Sequence, residues 1–191
     1  IETGGDKLMS EVIKVVGNDV YVQVFESTRG LRVGAPAEFT GHMLEVQLGP
    51  GMLSKNYDGL QNDLDKMEGV FLKRGQYTEA LDADREWDFE PLAKVGDEVE
   101  GSAWLGEVEE NSQKLKIMAP FQMEGKAKVK SIVSAGKYKI HDVVAVLEKE
   151  DGTEVKVDMV QHWPVKFAMT NYKEKPRPFK LLETGVRTID T

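Results

Sequence analysis

Short β-branched runs, broken at roughly 8–12-residue intervals by glycine-centred turns, fill most of this chain, and helical spacing of apolar residues is nearly absent. That alternation restricts the chain to small antiparallel sheets. Glu11 to Val16 and Val20 to Glu26 read as two strands joined at Gly17-Asn18-Asp19 in a hairpin. A turn-rich stretch, Thr28 to Pro36, follows, and a further strand from Met43 to Leu48 ends at Gly49-Pro50-Gly51. Residues 1–46 are therefore expected to form a small all-β unit.

Between Leu53 and Met67 the apolar residues Leu53, Tyr57, Leu60, Leu64 and Met67 recur at the spacing of one helix face, interrupted by Gly59. A short helix is expected there. Strand patterns then return at Val70 to Lys73, Val99 to Glu109, Lys114 to Met118, Ala127 to Ser134, Val143 to Glu148 and Val155 to Val160. They describe a second, longer β unit, whose core the aromatics Phe71, Trp87, Phe89, Trp104, Phe121, Trp163 and Phe167 are expected to form. Lys173 to Pro178 combines charge with two prolines and reads as an extended connector.

Composition narrows the function classes. There is no cysteine, which excludes disulfides, thiolate nucleophiles and cysteine-held metals. With 33 Asp and Glu against 25 Lys and Arg the net charge is −8, the wrong sign for a phosphate-backbone surface, so nucleic acid is not an expected partner. No apolar run reaches the roughly 20 residues that cross a bilayer, and the start lacks a signal-peptide pattern, so a cytoplasmic protein is expected. The first residue is not Met and Thr188 to Thr191 carry no stop signal, so the sequence reads as part of a longer chain.

Candidate chemistry is sparse. His42, His141 and His162 lie far apart; Glu45 and Asp158 stand near them at spacings that do not converge on a strand, so no ligand or base is assigned. Asp82, Asp84, Glu86, Asp88 and Glu90 lack the glycine and spacing of a calcium loop and read as a solvated loop. Gly4-Gly5 and Gly49-Pro50-Gly51 lack the Gly-Lys-Ser/Thr of a phosphate-binding loop and read as tight turns. No catalytic, cofactor-binding or metal-binding residue is assigned.

Several stretches, in order along nearly the whole chain, resemble the catalytic A subunit of V-type and archaeal-type ATPases. They are Tyr21 to Pro36 (YVQVFESTRGLRVGAP), Leu48 to Leu53 with Tyr57 to Gln61 (LGPGML and YDGLQ), Lys116 to Pro120 (KIMAP), Met159 to Lys166 (MVQHWPVK) and Glu183 to Asp190 (ETGVRTID). The resemblance implies a mainly β fold: an incomplete N-terminal β-barrel and a lipoyl-like barrel-sandwich bulge, with short helical connectors. Residues 1–46 would be the barrel and 47–67 the first segment of the nucleotide-binding domain. Residues 68–176 would be the bulge, and 177–191 the return to the nucleotide-binding domain.

The same resemblance implies a rotary machine coupling ATP hydrolysis or synthesis to proton or sodium transport, with this part serving ring assembly and subunit contacts. Its partners would be other A and B subunits and peripheral stalk subunits, at the cytoplasmic side of the membrane and without insertion. Mg-ATP would be the cofactor of the full-length subunit, since the family's phosphate-binding loop and catalytic glutamate lie beyond Thr191. The sequence departs from the family where Asn62-Asp63 replaces Arg-Pro, where Lys166 replaces arginine, and where the barrel strand expected before Ile1 is missing. Residues 95–148 also resemble a biotinyl or lipoyl carrier, although Asn111 to Lys116 lacks the Met or Asp that flanks the modified lysine.

The bulge, residues 68–176, has the length of a common domain and its own aromatics. Produced alone, it is expected to give well-dispersed amide resonances in an NMR spectrum; a spectrum of unfolded type would contradict that expectation.

Overall fold

Glu86-Trp87-Asp88-Phe89-Glu90 alternates charge with aromatic bulk, and that period of two forms the central strand of the molecule rather than a solvated loop. In the computed structural model, which describes residues 1–69, 71–168, 174 and 176–190, Trp87 and Phe89 are buried while the carboxylates between them face outward. Burying an aromatic side chain contributes roughly 1.5–3 kcal/mol, far more than solvating neighbouring carboxylates opposes. A dense acidic run is thus compatible with a strand whose other face is covered.

This strand is β6 (Glu86–Pro91), preceded in the chain by β1 (Glu2–Thr3), β2 (Asp6–Lys7), β3 (Ser10–Val16), β4 (Asp19–Val24) and β5 (Glu45–Leu48). After it come β7 (Glu98–Val99), β8 (Trp104–Glu110), β9 (Gln113–Met118) and β10 (Ala127–Ile132). The remaining strands are β11 (Gly136–Lys139), β12 (Ala145–Lys149), β13 (Glu154–Val157) and β14 (Gln161–Pro164). Two four-stranded antiparallel sheets, in the orders β13-β12-β10-β7 and β11-β6-β8-β9, make up a barrel-sandwich. One core cluster gathers Trp87, Phe89, Val108, Ile117, Ile140 and Val144, the other Val99, Leu105, Val129 and Leu147, and Ile132 packs against both.

The outer face of the β6 sheet is paired by charge. Glu86 lies opposite Lys139, Asp88 opposite Lys137, Glu107 opposite Lys116 and Glu109 opposite Lys114. The strand expected at 99–109 is split, because Gly101 and Ser102 turn the chain between β7 and β8. β6, β11 and β14 are strands the sequence patterns did not identify.

Two expectations change at the N-terminal side. The hairpin forms as β3 and β4, but the ribbons β1-β2 and β3-β4 do not close into a barrel among the described residues. Val12, Ile13, Val15, Val16, Val20 and Tyr21 stay largely exposed on the second ribbon. The helix expected over 53–67 is absent: a single 3-10 turn covers Leu64–Lys66, and Tyr57 makes an isolated β-bridge with Asp63. The cause is local competition, since the Asp58 side chain takes the backbone amides of Leu60 and Asn62 that a helix would use, and Gln61 adopts φ 63°.

The strand expected at Val70–Lys73 is not formed by Phe71 to Lys73, and Val70 lies outside the described residues. Of the expected connector, Lys173 and Lys175 also lie outside them, while Pro176 to Pro178 adopt no regular structure. One α-helical turn, α1 (Arg187–Asp190), ends the described chain, so the helical connectors amount to single turns.

Gly106 is the tightest point of the core. A Cβ there would lie 2.3 Å from two ring atoms of Phe89 and 2.9 Å from the Glu90 carbonyl oxygen. Gly106→Ala is expected to destabilise the fold by about 1–3 kcal/mol through overpacking, read as a lower midpoint of urea unfolding; an unchanged midpoint would contradict this packing.

Candidate functional site: the root of the barrel-sandwich

Strand β5 pairs antiparallel with β14, which follows the last strand of the sandwich in the chain, with Glu45 opposite Pro164 and Leu48 opposite Gln161. This strand pair is the root on which the sandwich stands. Two glutamine side chains extend its ladder where backbone partners run out. Gln61 accepts from the Gln47 amide and donates to the Gln47 carbonyl, both at 2.7 Å. Gln161 donates to the Met118 carbonyl at 2.9 Å and accepts from the Phe121 amide at 3.2 Å.

The Gly49-Pro50-Gly51 turn follows β5, and its amides already hold an anionic group. Glu110, 3% exposed at the end of β8, accepts through Oε1 from the amides of Gly51 and Leu53, each at 3.0 Å. Gly51 sits at φ 105°, a backbone region that favours glycine, so the turn suits glycine as well as Glu110. These residues do not fit a phosphate group of Mg-ATP, because the amides that could cradle one are committed to Glu110 and no Gly-Lys-Ser/Thr follows.

Asn62 and Asp63, which stand in place of the family's Arg-Pro, form a buried polar knot. Asn62 donates to Asp58 Oδ2 at 2.8 Å and accepts from the Thr78 amide at 2.9 Å. Asp63, 1% exposed, takes the Lys55 ammonium at 3.0 Å, has Lys66 at 3.8 Å, and accepts from the Asp65 amide. Burial works to raise the Asp63 pKa, but the Lys55 hydrogen bond, the Asp65 amide and the two ammonium charges outweigh it and hold the carboxyl below its ordinary value.

A second set of contacts ties the N-terminal ribbons to residues 74–77. Arg74 donates through Nε and Nη2 to Asp6 and through Nη1 to the carbonyl of Arg29 at 2.6 Å. Glu26 accepts from the Gly75 amide and from the Tyr77 hydroxyl, which in turn accepts from the Met9 amide at 2.7 Å. Lys166, in place of the family's arginine, meets Oε2 of the buried Glu11 at 2.8 Å, while Glu11 Oε1 has no donor among the described residues. A guanidinium could reach both oxygens where an ammonium reaches one.

The histidines pair differently from the sequence expectation. His162 Nδ1 lies 2.9 Å from Glu45 across the β5–β14 pair, His42 Nδ1 lies 4.0 Å from the same carboxylate, and His141 pairs with Asp158 at 3.3 Å. Among the described residues no group of three or more His, Asp or Glu side chains is arranged to hold a metal ion. Among the described residues no helix is long and apolar enough to cross a membrane.

The lysines at the place where a carrier would bear its prosthetic group are both engaged. The β8–β9 hairpin turns through Asn111 and Ser112, at φ 49° and 63°, and Lys114 and Lys116 donate to the two oxygens of Glu107. Hydrogen bonds from Lys114 first and Lys116 next hold the Glu107 carboxyl below its ordinary pKa. The hairpin presents no free acceptor lysine at its tip. Near the end of the chain, Thr184 and Gly185, in the stretch that resembles the approach to the phosphate loop, donate to the Asp190 carboxylate.

Glu110 and Arg74 lie outside the stretches that carry the resemblance, and Gln61, Asp63 and Gln161, which lie in or beside them, had no role assigned from the sequence. Their roles depend on which distant backbone amides they meet.

Because the folded-state pKa of Asp63 is depressed, the knot contributes stability above the ordinary carboxylate pKa, and that contribution is lost as pH falls through the lower folded value. Asp63→Asn is expected to lower stability at neutral pH by about 1–3 kcal/mol and to flatten its decline below about pH 4. Chemical denaturation across a pH series checks both; a variant with the parent's acid slope would contradict the assignment.

Sequence comparison agrees with this architecture. Residues 1–41 match the family model described as the β-barrel domain of the ATP synthase alpha/beta family, and residues 78–166 that described as the ATP synthase alpha/beta subunit barrel-sandwich domain. The chain is 46% identical to the V-type ATP synthase alpha chain of Borrelia hermsii (strain HS1 / DAH), over all of this chain and 34% of that protein. It is 45% identical to the protein of the same name from Protochlamydia amoebophila (strain UWE25), over 97% of this chain and 32% of the relative. The chain thus spans about a third of the length of these relatives. With both of its β units matched in order, the chain belongs to the ATP synthase alpha/beta family, of which it carries β-barrel and barrel-sandwich segments.

Proposed function

We propose that this chain is the N-terminal part of the catalytic A subunit of a V-type rotary ATPase, which couples ATP hydrolysis or synthesis to proton or sodium transport. The observation that carries the reading is the 46% identity to a V-type ATP synthase alpha chain over the whole of this chain. The division proposed is 1–46 for the barrel, 47–67 and 177–191 for the flanks of the nucleotide-binding domain, and 68–176 for the bulge. Its partners would be the neighbouring A and B subunits and peripheral stalk subunits, on the cytoplasmic side.

The role of these residues in that assembly is structural. Carboxylates that accept from backbone amides, a hydroxyl or an ammonium, such as Glu110, Glu26 and Asp63, fix geometry rather than activate a nucleophile. Mg-ATP chemistry needs backbone amides and a lysine around the phosphates, together with a hydroxyl and a carboxylate for magnesium. In the full-length subunit that machinery is proposed to lie beyond Thr191.

Two measurements test the reading. The full-length product of the gene, assembled with its ring partners, is expected to hydrolyse Mg-ATP. The 191-residue chain is expected to show no heat of Mg-ATP binding at micromolar concentration and no phosphate release above buffer. Turnover by this chain that disappears in Arg187→Ala would overturn the assignment.

A further inference from the structure

Among the described residues three buried side-chain atoms have no hydrogen-bond partner, Glu11 Oε1, Gln76 Oε1 and Trp87 Nε1, and only the first belongs to a carboxylate. A buried carboxylate oxygen is the costliest of the three to leave bare, so it is the one whose filling gains most. Glu11 lies on β3 and is 8% exposed. The Lys166 ammonium meets its Oε2 at 2.8 Å, and no donor reaches Oε1.

Glu11 also forms part of the wall of a cavity of about 410 Å³, whose apolar lining includes Val12, Val22, Phe39 and Met43. A second carboxylate of that wall is Glu38, and no lysine or arginine belongs to it. The Ile1 ammonium there is spent on the Leu8 carbonyl at 2.9 Å, and His42 holds its Nδ1 3.1 Å from the Met43 carbonyl. Glu11 Oε1 is closed to solvent, so a ligand reaches it only where the wall parts. Residues 37–43 are exposed, form neither helix nor strand, and make no backbone hydrogen bond among the described residues, so they can move aside without breaking a ladder.

We propose that this cavity binds a linear primary alkylammonium ion, which donates an N–H to Glu11 Oε1 and lays its chain along Val12, Val22 and Met43. One oxygen is left to fill, and an ammonium supplies it with a charged donor without displacing Lys166 from the other. A neutral alcohol of the same length gains only the apolar contacts, and a carboxylate of that length meets Glu11 and Glu38 with like charge. The vacancy depends on lysine at position 166: an arginine there presents a fork that fills both oxygens and leaves nothing for a ligand.

The test titrates butylamine, an ammonium at neutral pH, and its neutral isostere butan-1-ol into this chain while the methyl resonances of Val12, Val22 and Met43 are followed by NMR. Met159, buried in the sandwich core, serves as the control. The amine is expected to shift the first three saturably and the alcohol to leave them unmoved, with Met159 steady in both. Lys166→Arg keeps the net charge of −8 and so separates the vacancy from a general attraction of amines to an acidic chain. It is expected to weaken amine binding by about tenfold or more while the midpoint of urea unfolding holds or rises. Equal shifts by amine and alcohol, no shift by the amine, or amine binding unchanged in Lys166→Arg would each overturn the proposal. If the arginine is not accommodated and the midpoint falls, the comparison of amine with alcohol on the parent chain decides alone.

Discussion

The pairing of β5 with β14 joins segments that are far apart in the chain: His162 on β14 meets Glu45 on β5 across 117 residues. Closing so long a loop costs entropy that grows only slowly with its length, but the cost must be met by contacts made at the junction itself. Four backbone-paired positions, the side-chain amides of Gln61 and Gln161, the His162–Glu45 contact and the Glu110 carboxylate concentrate at that point. The junction fixes the sandwich at the end of the N-terminal unit, and the Arg74, Glu26, Tyr77 and Lys166 contacts add to it.

A second consequence is rigidity. The root is braced by groups with defined donor and acceptor geometry, and the ribbons are fastened separately through Arg74, Glu26, Tyr77 and the Lys166–Glu11 pair. Polar networks whose members are satisfied specify one arrangement, because every alternative leaves a buried group unpaired. On the outer sheet face the Glu86–Lys139 and Asp88–Lys137 positions are exposed and contribute little to stability, whereas Glu107, buried between Lys114 and Lys116, is held by both ammonium groups.

The legibility of the sequence varied with the range of the forces involved. β9, β10, β12 and β13 were readable because β-branched alternation and glycine turns are local signals. β6 was not, because five closely spaced carboxylates hide the aromatic alternation, and only the presence of Val108 and Ile140 behind Trp87 and Phe89 makes those positions interior. The helix expected at 53–67 failed for the reverse reason: apolar spacing was right for a helix, but the Asp58 side chain captured the amides first.

By itself the sequence determined the β class, the family resemblance and the absence of cysteine. These follow from composition, period and motif order, which are carried by neighbouring residues. Only the tertiary structure decided that β5 and β14 share a ladder, that Glu110 fills the amides of a glycine turn, and that Lys114 and Lys116 are bound to Glu107 rather than displayed. A hydrogen bond's worth depends on which partner arrives within about 3 Å, and partners that lie tens of residues apart in the chain meet only after the chain has folded.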